Sequence, residues 1–197
     1  LCALAVKHAE NRALIAKRLV GLLTSANTRA ADRQVRVLMT CSSFAADASL
    51  NQTALSKAGA LPPLITWLDS KEPAAQAKAA ETVLCAIADN SSTQNLCVDA
   101  GGIQALITLV RGLSKNPPKG TADTQSYVAP LFAARALWHL ASQTDTQAAI
   151  VDHGAIKPFI AMLSAEGEGI QELAATFLVR LTWLTPEVSI TVAEKGG

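Results

Sequence analysis

Gly59–Leu68 reads GALPPLITWL, and the pattern returns as GGIQALITLV at Gly101–Val110 and as GAIKPFIAML at Gly154–Leu163. Gly196-Gly197 begins a fourth copy. Each copy has a glycine, a small residue, an aliphatic residue, and then apolar residues at helical spacing. A stretch that recurs in this way is the joint of a repeat array rather than a catalytic site. The glycines set the period. Gly59 to Gly101 is 42 residues, Gly101 to Gly154 is 53, and Gly154 to Gly196 is 42 again. Periods in this range belong to helical solenoids of two or three helices per unit, and the middle unit carries an insertion.

Working outward from the glycine, each unit reads as three helices. A short first helix precedes it at Gln52–Lys57, Gln94–Asp99, Gln147–Asp152 and Val188–Glu194. The glycine ends that helix, because it can take the left-handed conformation that closes a C-terminus. A bend leads into the second helix, with Pro63 and Pro158 in its first turn, where a missing N–H costs nothing. His153, just before Gly154, is expected to cap the short helix. A polar loop leads to a longer third helix over about Pro73–Ala88, Tyr127–Ala141 and Ile170–Leu181, with Pro73 and Pro130 near helix starts. The third helices share small residues (Ala79-Ala80, Ala133-Ala134, Ala174-Ala175). Their pairs Leu84/Ile87, Leu137/Leu140 and Leu178/Leu181, three apart, mark the core face.

The expected domain organisation is one array over 1–197. It has degenerate repeats at 1–50, a repeat at 51–92, and one at 93–145 with a loop insertion at 114–126. A repeat at 146–185 and the start of a truncated one at 186–197 follow. Leu1–Val6 reads as the end of a third helix, Arg12–Leu23 as one continuous helix without a glycine joint, and Arg33–Phe44 as the next third helix. With no initiator Met and both ends inside a repeat, the chain reads as a segment of something longer. The insertion, SKNPPKGTADTQS, has no apolar periodicity and is expected to be a surface loop that either merely tolerates its length or carries specificity.

Composition agrees. Half of the residues are hydrophobic but only 4% are aromatic, so the apolar content is mostly Ala, Leu, Ile and Val, which suits close helix packing. The net charge of +1, with no long run of either sign, argues against non-specific nucleic-acid binding. No apolar run approaches the roughly 20 residues that span a bilayer, so no direct membrane insertion is expected. The four cysteines (Cys2, Cys41, Cys85, Cys97) form no CxxC pair and read as reduced core residues of a cytoplasmic protein, with a nuclear location also open. His8, His139 and His153 are scattered, with no carboxylate at metal-ligand spacing. No GxSxG or phosphate-cradling loop appears, and Glu166–Gly169 carries two carboxylates that would repel a phosphate. No cofactor, metal or enzymatic activity is expected.

The segment from Asn51, N-Q-x-x-L-x-x-x-G-A-L-x-P-L-I-x-x-L, with AARALWHLA at Ala133–Ala141, resembles the armadillo repeat. The likeness is strong from Asn51 to Leu184 and weaker before it. HEAT repeats, the nearest rival, lack the glycine-closed first helix. The resemblance implies an all-α fold, a right-handed α-solenoid whose third helices line a concave groove, and a non-catalytic scaffold that binds a peptide segment there. A structural subunit packed permanently into a larger assembly is the alternative. A recruiting groove should show polar third helices, a structural subunit apolar ones such as Val83, Phe132 and Phe177.

Importin-α-like members clamp the peptide backbone with an Asn ladder on the third helix and a Trp one turn earlier. The matching Asn positions here are Ala3, Ser43, Ala86, His139 and Arg180; the matching Trp positions are Met39, Thr82, Arg135 and Thr176. Neither ladder is present, so import-cargo binding is not expected. What the resemblance leaves facing the groove is Arg135, His139 and Arg180, which suit an acidic or phosphorylated segment or are ordinary solvated polar residues. Phe132 is a candidate floor for a shallow pocket or an ordinary packing residue. The candidate partner-binding set is these four with Thr82, Ala86, Thr176, Met39 and Ser43, while Trp138 and Trp183 are expected in the interface core.

Overall fold

A computed structural model describes residues 9–25, 31–115, 125–165, 168–184, 189–190 and 193–194. Eleven helices occur among them: α1 Ala9–Thr24, α2 Ala31–Ala46, α3 Ser49–Lys57, α4 Leu61–Trp67, α5 Pro73–Ile87, α6 Ser91–Asp99, α7 Gly102–Lys115, α8 Gln125–Leu140, α9 Thr144–Asp152, α10 Ile156–Met162 and α11 Glu168–Leu184. No strand occurs among the described residues. The chain forms two compact units, Leu1–Gly102 and Ile103–Gly197.

The glycine joints close as their sequence requires. Gly59, Gly101 and Gly154 have φ of 84°, 80° and 77°, where a side chain would strain the backbone. After α3 the Gly59 N–H donates to the Ser56 carbonyl (2.9 Å) and the Ala60 N–H to the Leu55 carbonyl (3.2 Å). After α9 the Gly154 N–H donates to Val151 (2.8 Å) and the Ala155 N–H to Ile150 (3.2 Å). This paired closure satisfies the helix's orphan carbonyls, and the buried pairs Leu55/Ala60 and Ile150/Ala155 provide its hydrophobic contact. In the middle copy that pair becomes Cys97/Gly102. A Cβ on Gly102 would lie 2.4 Å from the Cys97 sulfur and 2.7 Å from its carbonyl oxygen. His153 is the C-cap of α9, its Nδ1 2.6 Å from the Ala149 oxygen. Its own carbonyl accepts from Arg111 of α7 (2.7 Å).

A second recurrent device opens the first helices α6 and α9. Gln94 Nε2 donates to the Ile87 carbonyl at the end of α5 (3.0 Å), and Gln147 Nε2 donates to the Ala141 carbonyl just after α8 (2.8 Å). Both glutamines are buried, and each supplies a donor to a carbonyl that has run out of helix. Beside them, the buried Thr93 hydroxyl donates to the Asn90 carbonyl (2.9 Å), and the Thr146 hydroxyl to those of Gln143 (2.8 Å) and Leu140. The first copy has Asn51 where the others have threonine. Asn51 is fully buried, and neither of its amide atoms has a hydrogen-bond partner among the described residues.

In the first unit α2 packs along α5, the most extensive pairing of helices there. Ala75, Ala79, Ala80 and Ala86 give α5 a small-residue surface, so the neighbouring backbones approach closely. The Thr82 hydroxyl reaches the Leu38 carbonyl of α2 at 3.1 Å. In the second unit the stacked rings of Phe159 and Phe177, 3.7 Å between centroids, join α10 to α11. Leu137, Leu140 and Leu181 are fully buried, while Leu84 and Leu178 keep a sliver of exposure.

Several boundaries differ from the sequence reading. Ser114-Lys115 and Gln125-Ser126, placed in the insertion loop, are helical, and the rest of that loop lies outside the described residues. Buried Ile103, Leu106, Val110 and Leu113 carry one apolar stripe to the end of α7, which keeps that helix going. Helix α8 therefore begins earlier than expected, and Pro130 sits inside it rather than at its start. Leu1–Val6 lies outside the described residues, as do Val188, Thr191 and Val192 of the fourth first helix.

Candidate functional site

The residues expected to line a groove fall into two sets, one in each unit. In the first unit α2 exposes Met39, 47% accessible, and Ser43, one turn apart on one face. Thr82 and Ala86, their counterparts on α5, are buried and cannot meet a partner. The cause is the small-residue surface of α5: short side chains on a closely packed helix are overtopped by their neighbours. Thr82 is also committed to backbone, its hydroxyl lying 3.1 Å from the Leu38 oxygen and 2.6 Å from the Lys78 oxygen. Both residues leave the candidate set.

In the second unit α8 and α11 flank an open cleft of about 480 Å³. Trp138 and Ser142 line it from α8 and from the turn after it; Ala175, Thr176, Val179, Arg180 and Trp183 line it from α11. Thr176, Val179 or Arg180, and Trp183 follow at helical spacing, so one face of α11 supplies the wall. Trp183 is 81% exposed and Val179 58% exposed. The expectation of Trp183 as an interface-core residue is thereby overturned. Its spacing of seven from Thr176 already placed it on the candidate face, and reading its size as burial missed that signal.

Arg180 is held at the centre of this cleft. Its guanidinium carbon lies 3.8 Å from the centroid of the Trp138 ring, and its Nη1 donates to the Trp138 carbonyl at 3.4 Å. The indole face carries partial negative charge, so the cation is attracted and the planar group is fixed in orientation. The His139 ring meets Trp138 edge-on, 5.1 Å between centroids. Trp138 is thus half-buried as a platform, not packed away in the core. Arg135, one turn before His139 on α8, is exposed but does not line the cleft, and half-buried Phe132 does not floor it. No carboxylate is among the described residues that line the cleft.

No group of three or more His, Cys, Asp or Glu side chains that could hold a metal occurs among the described residues. Cys41 and Cys97 are buried, and desolvation pushes both thiols up to about 12, so they stay protonated. No single helix among the described residues is long and apolar enough to cross a membrane.

No family model matches the chain, and no curated protein matches it. Solved structures do. An engineered protein is similar with 25% identity and a TM-score of 0.76, over 92% of this chain and 68% of that one. A computationally designed armadillo repeat protein for modular peptide recognition is similar with 19% identity and a TM-score of 0.78, over 91% and 70%. A designed armadillo repeat protein in complex with the peptide (KR)4 has 19% identity and a TM-score of 0.77 over the same shares. The armadillo repeats only protein from Plasmodium falciparum has 22% identity and a TM-score of 0.70, over 92% and 77%. Glycine-closed first helices, short second helices and long third helices with small-residue faces agree with these likenesses: in its fold the chain is an armadillo-repeat array.

Proposed function

We propose that the chain is a non-catalytic protein-interaction scaffold that takes an acidic or phosphorylated peptide segment across α8 and α11. The observation that carries the reading is Arg180, oriented by the Trp138 ring in an open cleft whose described lining has no carboxylate. A guanidinium fixed in this way presents its remaining donors as a fork that suits carboxylate or phosphate oxygens. Exposed Trp183 and Val179 add an apolar wall for a neighbouring side chain, and Arg135 extends the positive charge along α8. One of the similar designed proteins binds a peptide of lysine and arginine. With arginine at candidate positions, this chain suits the opposite charge.

The exposure of Trp183 and Val179 also favours a second reading, in which this face is covered permanently by another subunit of an assembly. Capture of partners with the wild-type chain and with Arg135→Glu/Arg180→Glu, at low and high salt, separates the two. A partner lost both at high salt and on charge reversal supports the peptide cleft. A stoichiometric, salt-resistant set of large subunits supports the assembly. Binding unchanged by the reversal overturns the cleft assignment.

A further inference from the structure

A second surface lies wholly in the first unit and shares no lining residue with the α8–α11 cleft. Helices α1 and α2 pack side by side and leave a cleft of about 540 Å³ between them. From α1 it receives Leu14, Ile15, Arg18, Leu19 and Leu22, and from α2 Arg33, Arg36, Val37 and Thr40. Each set repeats at three- and four-residue spacing, so two helical faces form the walls. Leu19 is buried and Ile15 and Val37 are half-buried, which makes an apolar floor. Leu14 (58% exposed) and Leu22 (49%) stand open at its two ends. Eight residues of helix separate them, about 12 Å or just over two turns. The three arginines are exposed, and no carboxylate is among the described residues lining the cleft.

We propose that this α1–α2 cleft docks an acidic amphipathic helix of a partner protein, its apolar residues on the Leu14–Leu22 floor and its carboxylates toward Arg18 and Arg36. Charge complementarity carries the choice of occupant. Across α1 and α2 there are five basic residues (Arg12, Lys17, Arg18, Arg33, Arg36) against two acidic ones, Glu10 and Asp32, in a chain whose net charge is only +1. The apolar floor with a charged rim is the arrangement that receives a helix laid along a groove. A further repeat of this kind stacked here would be a poor match. The α2–α5 contact, which joins successive third helices, buries alanines, Leu38, Cys41 and the Thr82 hydroxyl but no arginine. Closing an apolar repeat over three guanidinium groups would strip them of water at a heavy desolvation cost. A flat anionic membrane suits the same charges but not a concave floor.

The test is selection from a displayed library of amphipathic helices, randomised at polar positions, panned on the whole chain. The enriched helices are then measured against variants by fluorescence anisotropy. The expected result is enrichment of Glu and Asp beside a stripe of Leu or Phe. Binding should weaken about 10-fold or more in Arg18→Glu/Arg36→Glu and in Leu14→Ser/Leu22→Ser, and should fall with salt. Arg180→Glu should leave it unchanged, which keeps this surface distinct from the α8–α11 cleft. No enrichment, enrichment of basic helices, or indifference to both α1–α2 variants overturns the proposal. So does binding to vesicles of anionic lipid that outcompetes the selected helix.

Discussion

The Arg180 guanidinium lies 3.8 Å from the centre of the Trp138 ring, and the two residues come from helices separated in sequence by a whole repeat. The contact joins α8 to α11 as well as shaping the cleft. Replacing Arg180 by alanine is expected to lower stability modestly, by about 0.5–1 kcal/mol, as for a partly exposed cation–π pair. Replacing Trp138 by leucine should weaken partner binding at nearly constant Arg180 charge, because the guanidinium loses its platform. Thermal unfolding and partner titration of the two variants check this. Equal binding by Trp138→Leu would show that orientation is irrelevant to recognition.

Two glycines are required for different reasons, and the difference is measurable. Gly59 has φ of 84°, and the space a methyl would take there has no other atom within 4 Å, so Gly59→Ala meets only backbone strain, about 1–2 kcal/mol. Gly102 has no such φ, but a methyl there would press on the Cys97 sulfur and carbonyl. Gly102→Ala is expected to cost about 1–3 kcal/mol by overpacking. Adding Cys97→Ala should restore only part of it, since the carbonyl oxygen remains. Chemical denaturation of the single and double variants tests both statements. Full rescue by Cys97→Ala would place the whole penalty on the sulfur.

Those joints were legible in the sequence because a left-handed helix terminus is a local requirement that selects glycine by itself. The third helices were legible for a similar reason: their apolar spacing is a property of one helix. What lay beyond reach depends on pairs of helices. Thr82 shares its ladder position with exposed Met39, Arg135 and Thr176, yet it is buried because α2 packs closely on α5 and Leu38, 44 residues away, offers it an acceptor. Trp183 went astray the opposite way. Its size suggested burial, while its helical phase matched the open face of α11.

Gln147 is expected to matter more for stability than its place at the start of a short helix suggests. Gln147→Leu removes the donor that serves the Ala141 carbonyl at 2.8 Å and the Arg180 carbonyl at 3.4 Å, and leaves the first acceptor buried. A loss of about 1–3 kcal/mol follows from an unsatisfied buried group. Gln94→Leu should cost less, because the Ile87 carbonyl also accepts the Asn90 N–H at 3.4 Å. A change below about 0.5 kcal/mol in Gln147→Leu would mean that water replaces the amide.

The buried thiols set a pH dependence with a definite sign. Cys41 and Cys97 are pushed up from 9.0 to about 12 by burial, so between those values the unfolded chain loses thiol protons that the folded chain keeps. Fewer protons bound in the unfolded state means stability falls as pH rises through that window. At pH 8 both residues should resist alkylation until denaturant is added, with mass spectrometry of the labelled peptides as the readout. Rapid native labelling of Cys97 would contradict its burial.

Asn51 offers a stabilising substitution. The corresponding residues Thr93 and Thr146 each donate to the carbonyl three positions earlier, at 2.9 Å and 2.8 Å. Asn51 is equally buried, but its amide nitrogen and oxygen are both without partners among the described residues. In Asn51→Thr the hydroxyl would stand three residues after Ala48, whose carbonyl already accepts the Asn51 backbone N–H. The variant removes two unsatisfied polar atoms and adds one bond, so a gain of about 1–2 kcal/mol is expected. The smaller side chain leaves some space, which sets a limit on the gain. Denaturant midpoints of the wild type and Asn51→Thr decide it, with Asn51→Ala as the control that removes the polar atoms without adding a bond. If Ala stabilises as much as Thr, relief of desolvation is the whole effect; if both destabilise, the Asn51 amide has partners in solution, such as bound water, that hold it in place.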